Sequence, residues 1–279
     1  MNTTASLKVL TKILFNKLGY TITRSTERRF PYTTAQSFEN GGPTFLFWIA
    51  NLLGEHLYTI PWIGDPEYHG IKELISANGI KRVLEVGTHH GKYTLAIANL
   101  VGKGGSVIGY EADPMSVLIA QANMALNSVS NVKIIGKAIG AKRGKFTYNR
   151  SSMAGAVGIF KKSYNPELLQ IPMVTLDEEI EGPVDMLKID VEGFEGQVLK
   201  GCQRLLEKRP CLALEIHMPF LASYKTSFEQ IAQLAHLNDY EGIIYDNKFV
   251  NIEHLRKWDG IESTTRDFVI HLFLSPKKI

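Results

Sequence analysis

Residues 83 to 94 read VLEVGTHHGKYT, in which Gly87 and Gly91 bracket Thr88, His89 and His90 directly after a short apolar run ending at Glu85–Val86. Glycines in a turn after a strand let the backbone pass close to a ligand, because they carry no Cβ and reach left-handed dihedrals. A phosphate loop has the form G-x-x-x-x-G-K-S/T. Here only three residues separate the glycines, and Tyr93 stands where the hydroxyl would be. A dinucleotide fingerprint needs a second glycine at the position of His89. A zinc site needs a third and fourth ligand that the local sequence lacks, and adjacent side chains on a turn are expected to diverge. A nucleoside site asks less: a glycine turn after the first strand and a carboxylate at the end of the second, which accepts from both ribose hydroxyls. Glu111 stands there, 24 residues after Gly87. His89 is expected to face the ligand and His90 to be packed or exposed; the alternative is that both merely fill the turn.

A second group of candidates follows later. Asp190 ends the apolar run MLKID, and Glu215 and His217 alternate at the end of LALEIH. Residues two apart on a strand share a face, so Asp190, Glu215 and His217 are expected to cluster as a base or a metal site. Asp190 could instead cap the helix from Gly193 onward. Glu192 and Glu195 are expected to complement that helix's dipole, and Asp177 to hold a loop.

The elements that position these residues alternate. Arg82–Val86, Ser106–Glu111, Asn131–Ile135, Met186–Asp190 and Leu212–Ile216 read as strands. Tyr93–Leu100, Pro114–Asn127, Gly193–Lys208 and Phe228–Leu237 read as helices. Phe146–Tyr148 and Met173–Val174 read as short strands around a polar loop at 149 to 166, and Gly242–Tyr245 with Phe268–Leu274 as a closing pair. Apolar strands joined by helical crossovers imply an α/β fold, a mostly parallel sheet with helices on both faces. Ligands in such sheets lie beyond the carboxyl ends of the strands, where these candidates fall.

Asp65-Pro66-Glu67 reads as a helix start, with Asp65 as cap. The boundary is therefore set there, with residues 1–64 as an N-terminal extension and 65–279 as the main domain. Within the extension, residues 7 to 20 read as a basic amphipathic helix, which suits peripheral contact with an anionic membrane surface or docking on the protein itself. Residues 21 to 64 read as irregular and able to cover a pocket.

The bulk numbers describe an ordinary globular chain of 279 residues, 44% hydrophobic and 21% charged, with a net charge of +3. Without a concentrated basic block, no nucleic-acid partner is expected. Cys202 and Cys211 have no metal spacing and are expected to be buried free thiols, in keeping with a reducing compartment. The longest apolar run, residues 45 to 53, is too short to span a bilayer, and no signal-peptide pattern opens the chain. A cytoplasmic location, peripheral at the inner membrane surface, is the expectation.

The stretch VLEVGTHHGKYTL resembles motif I of class I S-adenosylmethionine-dependent methyltransferases, and the FkbM family in particular. YEADP (110 to 114), NVKIIGKAIG (131 to 140), VTLDEE (174 to 179), LKIDVEGFEGQVLKG (187 to 201) and LALEIH (212 to 217) follow that family's pattern in order. The likeness covers about residues 67 to 217. The chain departs from it at Thr88 and His89, where a small residue and Asn are usual, and at Ala141, where an acid is common. The resemblance implies a Rossmann-like class I methyltransferase fold with a seven-stranded sheet and S-adenosyl-L-methionine as cofactor. It implies a cofactor-binding set of Glu85, Gly87, Thr88, His89, Gly91, Glu111, Ala112 and Ile139, the last for the adenine. It also places Asp190 where relatives use an acid for catalysis or for magnesium, with His217 beside it.

The implied reaction is an in-line displacement from a sulfonium, whose leaving group is a neutral thioether and needs no acid. The acceptor must be held on axis, and its proton must go to a base or be loosened by a metal. The expected acceptor is a small-molecule or glycan hydroxyl: a sugar, a glycolipid or a secondary metabolite. The alternatives are a non-catalytic protein that keeps the fold, and N- or C-methylation, the former weakened by the absence of an NPPY-like run.

Overall fold

The computed structural model describes residues 30–149, 168–245 and 269–278. The basic helix expected at 7 to 20 and the polar loop expected at 149 to 166, past Asn149, lie outside these residues. The described residues form twelve strands. β1 (Tyr32–Gln36) and β2 (Phe45–Ile49) form a hairpin; β3 (Arg82–Val86), β4 (Ser106–Glu111) and β5 (Val132–Gly136) follow. Then come β6 (Ala138–Ile139), β7 (Gly144–Asn149), β8 (Leu168–Val174), β9 (Met186–Asp190), β10 (Cys211–His217), β11 (Tyr240–Tyr245) and β12 (Val269–Pro276).

The central sheet has seven strands in the order β11-β12-β10-β9-β3-β4-β5. β10, β9, β3, β4 and β5 run parallel, and β12 lies antiparallel between β10 and β11. The alternation of the strands explains its two covered faces. Leu84, Val86, Leu187, Ile189, Leu212, Leu214 and Ile216 join one apolar cluster with helices Glu195–Lys200 and Phe228–Leu234. Val83, Met186, Cys211 and Ala213 join the other with helices Pro66–Asn78 and Lys92–Val101. Truncating such a buried Leu or Ile to Ala costs about 2–5 kcal/mol. Both cysteines are free and buried.

The short strands expected at Phe146–Tyr148 and Met173–Val174 are β7 and β8, and they pair with β6 in a separate three-stranded sheet. The helix expected over Gly193–Lys208 is two, Glu195–Lys200 and Gln203–Leu206, broken where Gly201 (φ −91°, ψ 8°) and Cys202 (φ −136°, ψ 28°) leave helical dihedrals; Gly201 packs on the Gly140 carbonyl, too close for any side chain. Asp177 accepts the Arg204 and Leu205 backbone N–H groups at the start of the second.

From residue 30 on, the segment read as irregular forms regular elements. After the β1–β2 hairpin a short helix, Leu52–Tyr58, is capped by Asn51, whose side chain accepts from Gly54 N–H at 2.8 Å. Phe38, Phe45, Phe47, Tyr58 and Trp62 pack with Tyr68, Leu95 and Met124 of the main domain, so an aromatic core substitutes for regular pattern. Side-chain amides complete the attachment. Asn127 bonds both the N–H and the C=O of Leu46, at 2.8 and 2.7 Å, and Asn123 accepts from Trp48 N–H at 2.6 Å. Asp65 caps helix Pro66–Asn78, accepting from Tyr68 N–H at 3.1 Å.

Candidate active site

A cleft of about 850 Å³ opens beyond the carboxyl ends of β3, β4 and β9. Its lining includes Gly87, Thr88, His89, Glu111, Ala112, Ile139 and Asp190 from the expected set. Glu85, Gly91 and His217 are set back from it.

The turn after β3 follows from its glycines. Gly87 has φ +91°, and a Cβ there would lie 1.7 Å from the Asp190 carbonyl oxygen, so only glycine lets β3 leave the sheet beside β9. Gly91, at φ +87°, caps helix Lys92–Val101 against Met124. His89 also takes a left-handed φ, +46°, and that bend brings the two imidazoles parallel rather than apart: they stack at 4.1 Å and 7°. His90 is packed away, with its carbonyl accepting from Asn123 at 2.9 Å.

Glu111 reaches back over the turn. One carboxylate oxygen accepts the His89 N–H at 2.7 Å and the other the Asp113 N–H at 2.8 Å. The Ala112 N–H also faces this carboxylate, and its remaining acceptor capacity is open to an incoming donor. Burial pushes its pKa up to about 7, against the pull of those N–H groups. Asp113 is occupied as the cap of helix Pro114–Leu126, accepting from Ser116. Ile139 and Ala138 add an apolar wall, and the buried Thr88 Oγ1 has no partner among the described residues. A carboxylate for a diol, an apolar slot and a spare hydroxyl fit a nucleoside.

Glu85 sits under the turn, 1% exposed, accepting from Thr94 Oγ1 at 2.6 Å, with burial raising its pKa to about 7. Beside it on β9 lies Lys188, 1% exposed, its ammonium 3.0 Å from Glu67, 3.6 Å from Asp190 and 5.1 Å from the centre of the Tyr93 ring. Burial opposes ionisation of Asp190, but Lys188 and then His217 hold its pKa below the ordinary carboxylate range. Asp190 does not cap the following helix, which begins at Glu195 with no side-chain cap.

Asp190, Glu215 and His217 do come together. Asp190 and Glu215 are register partners on β9 and β10, and His217 Nε2 lies 3.5 Å from Glu215 and 3.4 Å from Glu192. Glu195 is not a surface charge: it is fully buried, accepts from Gly193 N–H at 2.9 Å, and faces His217 Nδ1 at 2.9 Å. Burial alone would lower the His217 pKa; the Glu195 bond and the charges of Asp190 and Glu192 raise it to about 9.

Among the described residues two groups have metal-compatible spacing, Asp190–Glu192–His217 and Glu67–Glu215–His271. In the second group Glu67 already pairs with the Lys188 ammonium, and in the first His217 Nδ1 is held by Glu195.

Several lining residues stand outside the expected set. Phe146, Phe194 and Tyr224 make an aromatic wall beside Asp190 and Glu192, with centroids 5.3 and 5.0 Å apart in succession. Tyr58, Leu52, Leu53 and Leu57 arrive from the extension. Phe194 lies within the motif LKIDVEGFEGQVLKG, and the extension was expected to be able to cover a pocket, but only contact across the fold brings these particular side chains together.

A model of the methyltransferase FkbM domain matches residues 85–241. Similar solved structures include an FkbM methyltransferase from Methylobacillus flagellatus KT, 17% identical, with a TM-score of 0.42 over 74% of this chain and 49% of that one. They also include an O-methyltransferase from Bacillus cereus in complex with SAH (14%, TM-score 0.42, 76% and 82%) and an rRNA methylase from Streptococcus thermophilus (11%, TM-score 0.45, 76% and 94%). The chain spans about half the length of the Methylobacillus protein. No curated protein matches it.

Proposed function

Because this chain belongs to the FkbM methyltransferase family, we propose that it transfers the methyl group of S-adenosyl-L-methionine to a hydroxyl oxygen of a sugar, glycolipid, glycan or secondary metabolite. One observation carries the reading. The Glu111 carboxylate and the Asp190 carboxylate face the same cleft, one beside the glycine turn and the other at the end of β9. Bound there, the cofactor supplies an electrophilic methyl on a sulfonium.

The residues divide the work. Glu111 takes the ribose diol on its remaining acceptor capacity, Ile139 and Ala112 border the base, and the backbone of Gly87 to His89 passes the amino-acid end. Asp190, kept ionised by Lys188, accepts the acceptor's proton as the new C–O bond forms. His217 is a positioning residue: held by Glu195, it offsets the charge of Asp190 and Glu192. No step needs a metal. The wall of Phe146, Phe194 and Tyr224 favours a sugar-like acceptor, whose C–H face packs on aromatic rings while carboxylates take its hydroxyls.

The test is a calorimetric titration of S-adenosylhomocysteine into wild type and Glu111→Ala. Loss of the charged hydrogen bonds should weaken binding by roughly 1.5–3 kcal/mol, about ten- to 150-fold. A wild type that binds nothing sinks the proposal and favours a fold kept without its cofactor.

A further inference from the structure

The roof of the cleft comes from outside the residues that match the family. Tyr58 is the clearest case. Its ring is buried against Phe47 at 4.8 Å, and Gln36 donates to its carbonyl at 3.3 Å. Its hydroxyl meets His89 Nδ1, and the His90 backbone N–H faces the same oxygen. The helix can approach this closely because Gly54 lies over His90, where a Cβ would be 3.3 Å from the ring.

These contacts decide which nitrogen of His89 carries the proton. A buried phenol keeps its own proton, since desolvation penalises the phenolate. Among the described residues His89 Nδ1 is the one acceptor within reach of this hydroxyl, so the O–H donates there. Nδ1 must then be bare and Nε2 must carry the hydrogen. Burial also disfavours the charged imidazolium, so the ring is neutral. Nε2 is on the edge of the ring away from Tyr58, His89 lines the cleft, and among the described residues no group accepts its proton.

We propose that Tyr58 is a positioning residue of the cofactor site: it fixes His89 as a neutral Nε2–H donor for the carboxylate at the amino-acid end of the cofactor. This rests on the cofactor reading above and adds a second segment of the chain to it. A neutral donor suits that place, because it binds a carboxylate without setting a full positive charge beside a sulfonium.

The experiment compares two ligands of the full chain by calorimetry. S-adenosylhomocysteine has the amino-acid end; 5′-methylthioadenosine has the same nucleoside and thioether without it. Tyr58→Phe keeps the ring packed on Phe47 and removes only the hydroxyl. It should weaken S-adenosylhomocysteine about tenfold and leave methylthioadenosine unchanged. Nitrogen-15 imidazole spectra should show His89 as Nε2–H in the wild type and as a mixture of tautomers in Tyr58→Phe. In a His89→Gln background, where the amide supplies its own donor, adding Tyr58→Phe should cost nothing further. Equal losses for both ligands, unchanged S-adenosylhomocysteine binding, or an Nδ1–H tautomer in the wild type would each overturn the proposal. A wild type that binds methylthioadenosine but gains nothing from the amino-acid end overturns it while leaving the nucleoside site standing. A wild type that binds neither ligand removes the cofactor reading and this proposal together.

Discussion

Glu195 and His217 form a buried pair, Oε1 to Nδ1 at 2.9 Å, with the carboxylate wholly inside the protein. The pair is what makes His217 a cation, against the desolvation that would otherwise discharge it.

The pair has a signature in stability. The folded pKa of His217, about 9, lies above its ordinary 6.5. Its contribution is therefore full below about pH 6.5 and lost as pH rises through 9. The difference corresponds to roughly 3–4 kcal/mol. Urea unfolding of wild type should show this decline between pH 6.5 and 9. Subtracting the Glu195→Gln curve should isolate it, and superimposable slopes would remove the ion pair from the account.

Cofactor binding should depend on pH through Glu111. Its carboxyl titrates at about 7 in the free protein, and a diol donating to the charged form pulls that value down. S-adenosylhomocysteine should bind about tenfold more weakly at pH 6 than at pH 8. Glu111→Gln should bind weakly at both. A wild-type affinity flat across this range contradicts the assignment.

Asp190→Asn keeps the shape of the residue beside Lys188 and removes the base. Turnover should fall about 100- to 10,000-fold, with S-adenosylhomocysteine affinity within a few-fold of wild type. A matched loss in binding and turnover would instead make Asp190 a cofactor ligand.

The two glycines of the turn should differ in tolerance. An alanine at Gly87 drives its Cβ into a backbone oxygen at 1.7 Å, whereas at Gly91 the nearest obstacle is the flexible end of Met124 at 2.8 Å. Gly87→Ala should cost more than about 3 kcal/mol and Gly91→Ala about 1–2 kcal/mol. Denaturation midpoints rank them directly, and a reversed order would be inconsistent with this packing.

The parallel strands and the motif-bearing turns were legible because their signals are local. Apolar runs mark β3, β9 and β10, and the glycine turn and Glu111 stand at a spacing that a nucleoside site requires. Legibility failed where the cause is tertiary. Glu195 reads as a helix-dipole charge until β10 delivers His217 beside it. The stacking of His89 on His90 depends on a left-handed dihedral that no residue type announces. Residues 30 to 64 show no period because aromatic packing and Asn side chains, rather than alternation, hold them.

Those Asn side chains also settle how the molecule meets its own copies. A strand with an open edge offers a row of backbone groups on which a second chain can build. β2 has β1 on one side, and on the other Asn127 and Asn123 occupy the Leu46 and Trp48 positions from helix Pro114–Leu126 and its end. Side chains cannot propagate a ladder. The hairpin is thereby shielded from edge-to-edge polymerisation on that side, and substituting both asparagines should make the protein prone to aggregate before it makes it slow.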